Sequence, residues 1–206
     1  VLNFGKGVPL VDADATQIWQ VVMNLLINAS DAMASIAGTI TLTTAHVQSS
    51  AEELENYLSS RPLPPGDYAM IEVRDTGHGM DKRTIARIYD PFFTTKSMGR
   101  GLGLSACLGI IRAHNGGISV SSQSGEGTTF RILLPALRDA AGRLRLPEQP
   151  GGAQPGQAAE PAVAEPAVAE PAVTALPSPE PTAAHGTGRI LVADNDVAIL
   201  RLIELV

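Results

Sequence analysis

The chain has 206 residues, of which 44% are hydrophobic, so it holds enough apolar material for one or two globular domains. Its net charge is −6 and only 4% of its residues are aromatic, which argues against nucleic acid as a partner. A single cysteine, Cys107, excludes an internal disulfide, and no apolar run approaches the roughly 20 residues that span a bilayer. We expect a cytoplasmic protein. The start, without an initiator methionine or a signal peptide, predicts a fragment whose membrane anchor, if one exists, lies upstream.

Hydrophobic patterning predicts an α+β domain that ends near residue 137. Asp14, with Gln17 three positions later, resembles a helix capping box, and apolar residues then recur at helical spacing from Ile18 to Ala32. Further helices are predicted at residues 81–89 and 104–114, and strands at 39–47, 68–74, 118–122 and 128–134. We expect the first two strands to pair in antiparallel fashion and the helices to cover one face of the sheet.

The composition changes after this domain. Residues 138–187 are rich in Ala, Pro, Glu and Gly and repeat AEPAV three times, which predicts a flexible linker. Residues 189–193 (RILVA) then predict a short buried strand that leads to Asp194, Asn195 and Asp196. Residues 188–206 are too few for a domain, so we expect them to be the truncated start of one.

The first of four informative blocks, residues 20–31 (QVVMNLLINASD), lies on the first predicted helix. Its polar side chains form one stripe opposite the apolar face, with Gln17, Gln20, Asn24, Asn28 and Asp31 as members. The stripe alone is compatible with a solvated face, but such faces favour Lys, Glu and Arg, whereas Asn is a poor helix former. Because an amide oxygen is a suitable ligand for Mg²⁺, we predict that Asn28 binds this ion together with phosphate oxygens and water.

The second block, residues 75–80 (DTGHGM), begins at the end of a predicted strand. Gly77 and Gly79 let the backbone turn and approach a ligand closely, although a segment of this composition can also be a simple turn. An ionised carboxylate accepts hydrogen bonds and cannot donate them, so Asp75 suits the exocyclic amine of adenine and opposes the carbonyl oxygen of guanine. The block therefore predicts an adenine site.

The fourth block, residues 99–105 (GRGLGLS), is a glycine-rich loop that leads into a helix. Gly99, Gly101 and Gly103 alternate before Ser105, and the free N–H groups of a helix N-terminus suit a polyphosphate. The spacing matches neither the GxxxxGK[ST] loop nor the GxGxxG dinucleotide fingerprint. Lys96 and Arg100 flank the loop and offset the negative charge of the phosphates.

The third block, residues 90–96 (DPFFTTK), precedes that loop. Thr94, Thr95 and Lys96 predict a short mobile lid over the phosphates. Phe92 and Phe93 admit a plainer interpretation, in which the two rings anchor the loop to the core.

Taken in order, the four blocks resemble the N, G1, F and G2 boxes of the histidine-kinase catalytic and ATP-binding domain, in the family shared with gyrase, Hsp90 and MutL. The resemblance covers about residues 1–137, and residues 125–129 (GEGTT) are similar to the last glycine box. It implies the Bergerat fold, a two-layer α/β sandwich with a mixed sheet, helices on one face and a short ATP lid. It also implies ATP and Mg²⁺ as cofactors, with Mg²⁺ on Asn28. The implied nucleotide-binding residues are Asn28, Asp31, Asp75, Gly77, Gly79, Lys96, Gly99, Arg100, Gly101, Leu102, Gly103, Leu104, Ser105 and Thr128.

Position 24 distinguishes branches of that family. ATP-hydrolysing members have a glutamate there as general base for water, whereas Asn24 does not take a proton at neutral pH. We therefore assign Asn24 and Asn28 as the catalytic positions of a kinase that holds ATP for another nucleophile. The resemblance places that nucleophile on a histidine of a dimerisation domain absent from this chain. We interpret the four histidines present as structural or solvated: His46, His78, His114 and His185.

Residues 189–196 (RILVADND) resemble the first strand and acidic corner of a response-regulator receiver domain, although Asn195 stands where the family is usually acidic. A kinase, a tether and a receiver are the layout of a hybrid sensor histidine kinase, a protein histidine kinase that transfers the γ-phosphate of ATP to histidine and onward to aspartate. The expected partners are the dimerisation domain, a receiver domain in cis or a separate response regulator, and a second copy in a homodimer. Two alternatives stay open: a conformational ATPase, disfavoured by Asn24, and a non-catalytic nucleotide-sensing module.

Overall fold

The computed structural model describes residues 1–33, 37–96 and 100–147, and six strands in this part of the chain form one sheet. They are β1 (Leu2–Phe4), β2 (Ile40–Ser49), β3 (Leu58–Ser59), β4 (Gly66–Asp75), β5 (Gly117–Gln123) and β6 (Gly127–Pro135). Their order across the sheet is β1-β2-β4-β6-β5-β3. β1 runs parallel to β2, and the other described neighbours are antiparallel, so the predicted mixed sheet and the predicted antiparallel pairing of β2 with β4 are confirmed.

The helices begin and end where local chemistry requires. They are α1 (Ala15–Ala32), α2 (Ala51–Leu54), α3 (Lys82–Ile85) and α4 (Gly103–Ala113). The Asp14 carboxylate accepts from the N–H groups of Thr16 and Gln17 at 2.8 and 3.1 Å, which satisfies donors that the first turn of α1 leaves free. α4 ends just before Asn115, whose φ of +56° turns the chain out of the helix. The predicted helix at 81–89 is shorter, because regular helix stops at Ile85.

The main core lies between one face of the sheet and the two long helices. Leu42, Val73, Phe130 and Val120 form one row across β2, β4, β6 and β5. α1 contributes the buried side chains of Val21, Leu25 and Ala29, and α4 contributes those of Cys107, Leu108 and Ile111. Because residues in a strand alternate between faces, both helices cover the same face of the sheet, as predicted.

A second, smaller core lies beneath the connection between β2 and β4. Its buried side chains are Leu54, Leu63, Tyr68 and Leu133. The connection contains α2 and β3, neither of which is predicted from the sequence. Ser50 and Glu53 form a reciprocal capping box on α2, but a four-residue helix and a two-residue strand are too short to leave a periodic pattern.

The chain after β6 makes further hydrogen bonds up to the end of the described residues. Leu137 N–H donates to Leu10 at 2.7 Å, Leu10 N–H donates to Arg145 at 2.8 Å, and Arg138 bridges to Leu144. The rest of the predicted linker and the receiver-like piece at 188–206 lie outside the described residues, so the linker boundary stays a prediction. In the described ranges, no helix is both long and apolar enough to cross a membrane.

Candidate functional site

A polar row continues the apolar rows of the core face at one end of the sheet. Asp75 at the end of β4 pairs across the strands with Thr128 on β6, and Thr128 pairs with Ser122 on β5. These residues share a face with Val73 and Phe130, since they are two positions away along their strands. Asp75 and Thr128 are only 4% and 6% exposed. The sheet thus places two buried polar side chains at the edge of the core.

A cavity of about 590 Å³ opens in front of this row, between α1, residues 75–80, residues 93–96 and the start of α4. Its size is ordinary for a small-molecule site. It brings together twelve of the predicted site residues: Asn24, Asn28, Asp31, Asp75, Gly79, Lys96, Arg100, Gly101, Leu102, Gly103, Leu104 and Thr128.

Two of the predicted residues that the structure describes do not line the cavity. Gly77 lies against α1, where an added Cβ would be 2.7 Å from the Ala32 carbonyl oxygen. The Ser105 hydroxyl donates to the Leu102 carbonyl at 3.0 Å, inside the first turn of α4. Gly99 lies outside the described residues.

The Asp75 carboxylate is oriented by backbone donors. Its Oδ1 accepts from Gly77 N–H at 2.8 Å and from Thr128 N–H at 3.2 Å. Within the described part of the chain, Oδ2 accepts no hydrogen bond, and Asp75 lines the cavity. One oxygen therefore holds the side chain in place and the other is available to a ligand.

The loop that carries Asp75 packs backbone against backbone on the β5–β6 hairpin. Gly79 and Gly127 have φ values of +62° and +93°, and an added Cβ on either would overlap a carbonyl oxygen, of Gln123 and Asp75 respectively. Gly125 N–H also donates to the His78 carbonyl at 2.7 Å. Glycine at position 79 therefore lets the backbone of this loop approach the backbone of the β5–β6 hairpin closely.

Asn24 and Asn28, two residues of the polar stripe on α1, line the cavity but have different neighbours. Asn24 Nδ2 points at the buried Cys107 sulfur of α4, 3.7 Å away. One turn later, Asn28 Oδ1 accepts from Lys96 Nζ at 2.8 Å, and the same ammonium lies 2.6 Å from Asp31 Oδ2. The amide and the carboxylate thus converge on one cation.

The two phenylalanines of the third block have different roles. Phe93 is half-buried, packs on the main core and lies under the Arg87 guanidinium, 4.4 Å from its ring centroid. Phe92 is 75% exposed, with a φ of +67°, and its N–H donates to the Gly101 carbonyl at 2.9 Å. The anchoring interpretation therefore holds for Phe93 and is wrong for the Phe92 ring.

Sequence reasoning did not identify the apolar wall of the cavity or its supporting residues. Met80, Ile88 and Phe130 form this wall. Their side chains are apolar, so the sequence alone does not distinguish them from core residues. Ser122, behind Thr128, gives no signal in a single sequence because serine is common in strands near turns. Burial raises the pKa of the Cys107 thiol to about 11, so this side chain is a neutral neighbour of Asn24 at physiological pH.

Two of the histidines make contacts that indicate a structural role. His46 Nε2 lies 2.8 Å from Asp67, and His114 Nε2 accepts from Asp14 N–H at 3.0 Å. His185 lies outside the described residues.

Several known proteins resemble this chain. Residues 13–138 match the family described as histidine kinase-, DNA gyrase B- and HSP90-like ATPases. The sensor kinase CckA of Brucella abortus is 43% identical over 138 residues, which are 66% of this chain and 14% of that protein. The sensor protein FixL of Bradyrhizobium diazoefficiens is 40% identical over 134 residues, or 65% of this chain and 23% of FixL.

A likeness in fold is found with full-length ShkA, solved in complex with AMPPNP, at a TM-score of 0.50 and 22% identity. The match covers 72% of this chain and 26% of ShkA. The chain therefore spans only a minor part of each of these relatives. It belongs to the family of histidine kinase-, DNA gyrase B- and HSP90-like ATPases, and its matched residues correspond to the ATP-binding catalytic domain of sensor histidine kinases.

Proposed function

We propose that this chain is the catalytic module of a hybrid sensor histidine kinase, which positions Mg-ATP for transfer of the γ-phosphate to a histidine on a dimerisation domain. The observation that carries the proposal is the polarity of one cavity. Asp75 presents a carboxylate oxygen to the cavity, and the loop that follows it packs on the end of α1 at Ala32. The start of α4 lies near Asn24, two turns earlier on α1, and Lys96 and Arg100 add positive charge to the lining. An adenine nucleotide has the complementary polarity, with an amine on the base and negative charge on the phosphates.

At the base end, Asp75 selects adenine. Its free Oδ2 accepts from the exocyclic amine, while guanine would place a carbonyl oxygen against the carboxylate. Met80, Ile88 and Phe130 supply an apolar wall for the flat ring. Because Asp75 is buried and already oriented by two N–H groups, little ordering entropy is lost when the base binds.

At the phosphate end, α4 supplies backbone donors. No side chain of the described residues caps this helix, so the N–H groups of its first turn remain available next to the cavity. The helix dipole adds roughly half a positive charge at this end. Arg100 and Lys96 also line the cavity and carry positive charge, that of Lys96 being paired with Asp31.

The side chains near Asn28 fit Mg²⁺. Asn28 Oδ1 is a neutral oxygen that already accepts from a cation, the Lys96 ammonium. We assign Asn28 to Mg²⁺, with phosphate oxygens and water as the other ligands. The ion, when bound, neutralises charge that develops on the transferred phosphoryl group. Asp31, which also lines the cavity, then remains as a partner for Lys96.

The residues around Asn24 favour a kinase over a hydrolase. An amide cannot act as general base, and Asn24 Nδ2 is directed at the Cys107 sulfur. Catalysis would therefore come from positioning and from charge neutralisation, while the phosphate acceptor arrives on another domain. The proposed partners are the dimerisation domain, a second copy of the protein, and a receiver domain in cis or on a separate response regulator.

The test is a calorimetric titration of the chain with Mg-ATP and Mg-GTP, with inorganic phosphate followed in the same samples. An isolated dimerisation domain that carries an acceptor histidine is then added with γ-labelled ATP. Selective ATP binding without turnover, followed by label on the histidine, supports the kinase. Sustained phosphate release would favour the conformational ATPase, and ATP binding that never labels the histidine would favour the nucleotide-sensing module.

A further inference from the structure

Ser122 lies behind the proposed base site and outside the cavity. On β5 it is directly across from Thr128 of β6, and Thr128 is directly across from Asp75 of β4. Asp75 and Thr128 line the cavity, whereas Ser122 does not line it and contacts the lining residues Thr128 and Met80.

The Ser122 hydroxyl makes three hydrogen bonds. Met80 N–H lies 2.8 Å from Ser122 Oγ, the Gly127 carbonyl oxygen lies 2.9 Å from it, and Thr128 Oγ1 lies 3.0 Å from it. One side chain thus joins the loop after Asp75, the β5–β6 turn and the polar row of the site.

The protons of these groups determine the direction of each bond. Met80 N–H can only donate, and the Gly127 carbonyl can only accept. Ser122 has a single hydroxyl proton, which it donates to Gly127. The third contact is then satisfied only if Thr128 donates its own hydroxyl proton to Ser122.

This direction fixes what Thr128 offers to a ligand. With its proton committed to Ser122, Thr128 Oγ1 retains only lone pairs, so Thr128, which lines the cavity, can offer this oxygen to a ligand only as an acceptor. It stands beside the Asp75 carboxylate, to which the Thr128 N–H is already bonded at 3.2 Å. A ligand therefore meets two neighbouring acceptors at the base end.

We infer that Ser122 is a specificity-determining residue, which selects a 6-amino over a 6-oxo purine by holding the Thr128 hydroxyl as an acceptor beside Asp75. This inference rests on the proposed function. An amino group can donate to either oxygen, whereas the carbonyl oxygen of guanine would face two acceptors without a donor. Asp75 alone disfavours guanine, and Ser122 removes the alternative in which Thr128 rotates to donate to it.

The test measures the dissociation constants of Mg-ATP and Mg-GTP for the full chain and three variants. Ser122→Ala frees the Thr128 proton, so the preference for ATP over GTP should narrow by about 3- to 10-fold, the usual range for one neutral hydrogen bond. Ser122→Thr keeps a hydroxyl and should restore the preference. Ser121→Ala, at the exposed neighbouring position of β5, is the matched control and should change neither constant.

A fourth variant and a double variant distinguish a specific effect from a general loss of structure. Thr128→Val removes the acceptor itself, and adding Ser122→Ala to it should not change the ratio further, because the two side chains act as one unit. Equal weakening of ATP and GTP in Ser122→Ala, with an unchanged ratio, would show a merely structural serine and overturn the inference. Failure of the unaltered chain to bind ATP would instead overturn the proposed function, and this inference with it.

Discussion

Lys96 Nζ lies 2.8 Å from Asn28 Oδ1, so a lysine of the third block already contacts the oxygen that we assign to Mg²⁺. Asp31 Oδ2 binds the same ammonium at 2.6 Å. Two cations cannot share one amide oxygen without strong repulsion at such distances. Binding of Mg-ATP should therefore move Lys96 from Asn28 toward the phosphates.

Asn28→Ala should abolish the Mg²⁺-dependent part of ATP binding and leave the domain folded. The change removes a half-buried side chain at the edge of the cavity and no core packing. Calorimetry with Mg²⁺ and with excess EDTA separates the two contributions. Ser30→Ala, at an exposed position of the same helix, is the control. Unchanged affinity of the Asn28 variant in the presence of Mg²⁺ would contradict the assignment.

Lys96→Met should weaken ATP binding by about 10- to 100-fold and leave adenosine binding unchanged, because a charge-assisted bond to phosphate is lost. Methionine keeps much of the length of the side chain and removes the charge. Titrations with adenosine and Mg-ATP measure the difference. Lys82→Met, on the exposed side of α3, should alter neither. A parallel loss of adenosine affinity would mean that Lys96 supports the fold of the pocket instead.

Asp75→Asn should lower the affinity for ATP by on the order of 100-fold and reduce the discrimination against GTP. The amide can still accept from Gly77 and Thr128 through one oxygen, but it then presents an NH₂ group to the ligand. That donor opposes the adenine amine and suits the guanine carbonyl. Competition of both nucleotides against a fluorescent ATP analogue measures the shift, and retention of full ATP selectivity would refute the adenine assignment.

Cys107 should resist thiol reagents at neutral pH until the domain unfolds. Its side chain is buried between α1 and α4, and burial raises its pKa from 9.0 to about 11. Because the thiolate is favoured in the unfolded chain, the stabilising effect is complete below pH 9 and is lost as pH rises through 11. A chromogenic disulfide reagent, with and without denaturant, measures the exposure. Rapid labelling of the native chain would contradict this packing, and Cys107→Ala should flatten the decline in stability above pH 9.

The sequence predicted the parts of the molecule that depend on local chemistry. Helix α1 follows from the Asp14 cap and the 3.6-residue spacing of its apolar positions, and β4 follows from a β-branched and aromatic pattern that ends at Asp75. Local signals of this kind need no knowledge of the rest of the chain. They fail for α2 and β3, whose lengths of four and two residues are below what a periodic pattern can reveal.

The site shows the same division. By itself, the sequence determined the residue types of a nucleotide pocket and their order. Asn28, Asp75 and Lys96 each imply a chemistry by their functional groups, and the glycines allow backbone to approach closely. Only the tertiary structure decided which of these groups meet. The strand register places Ser122 next to Thr128, and Thr128 next to Asp75. The packing of residues 93–96 near α1 brings the Lys96 ammonium into contact with the Asn28 side chain. Such contacts join residues up to 68 positions apart, and their geometry depends on packing energies that no local pattern in the chain encodes.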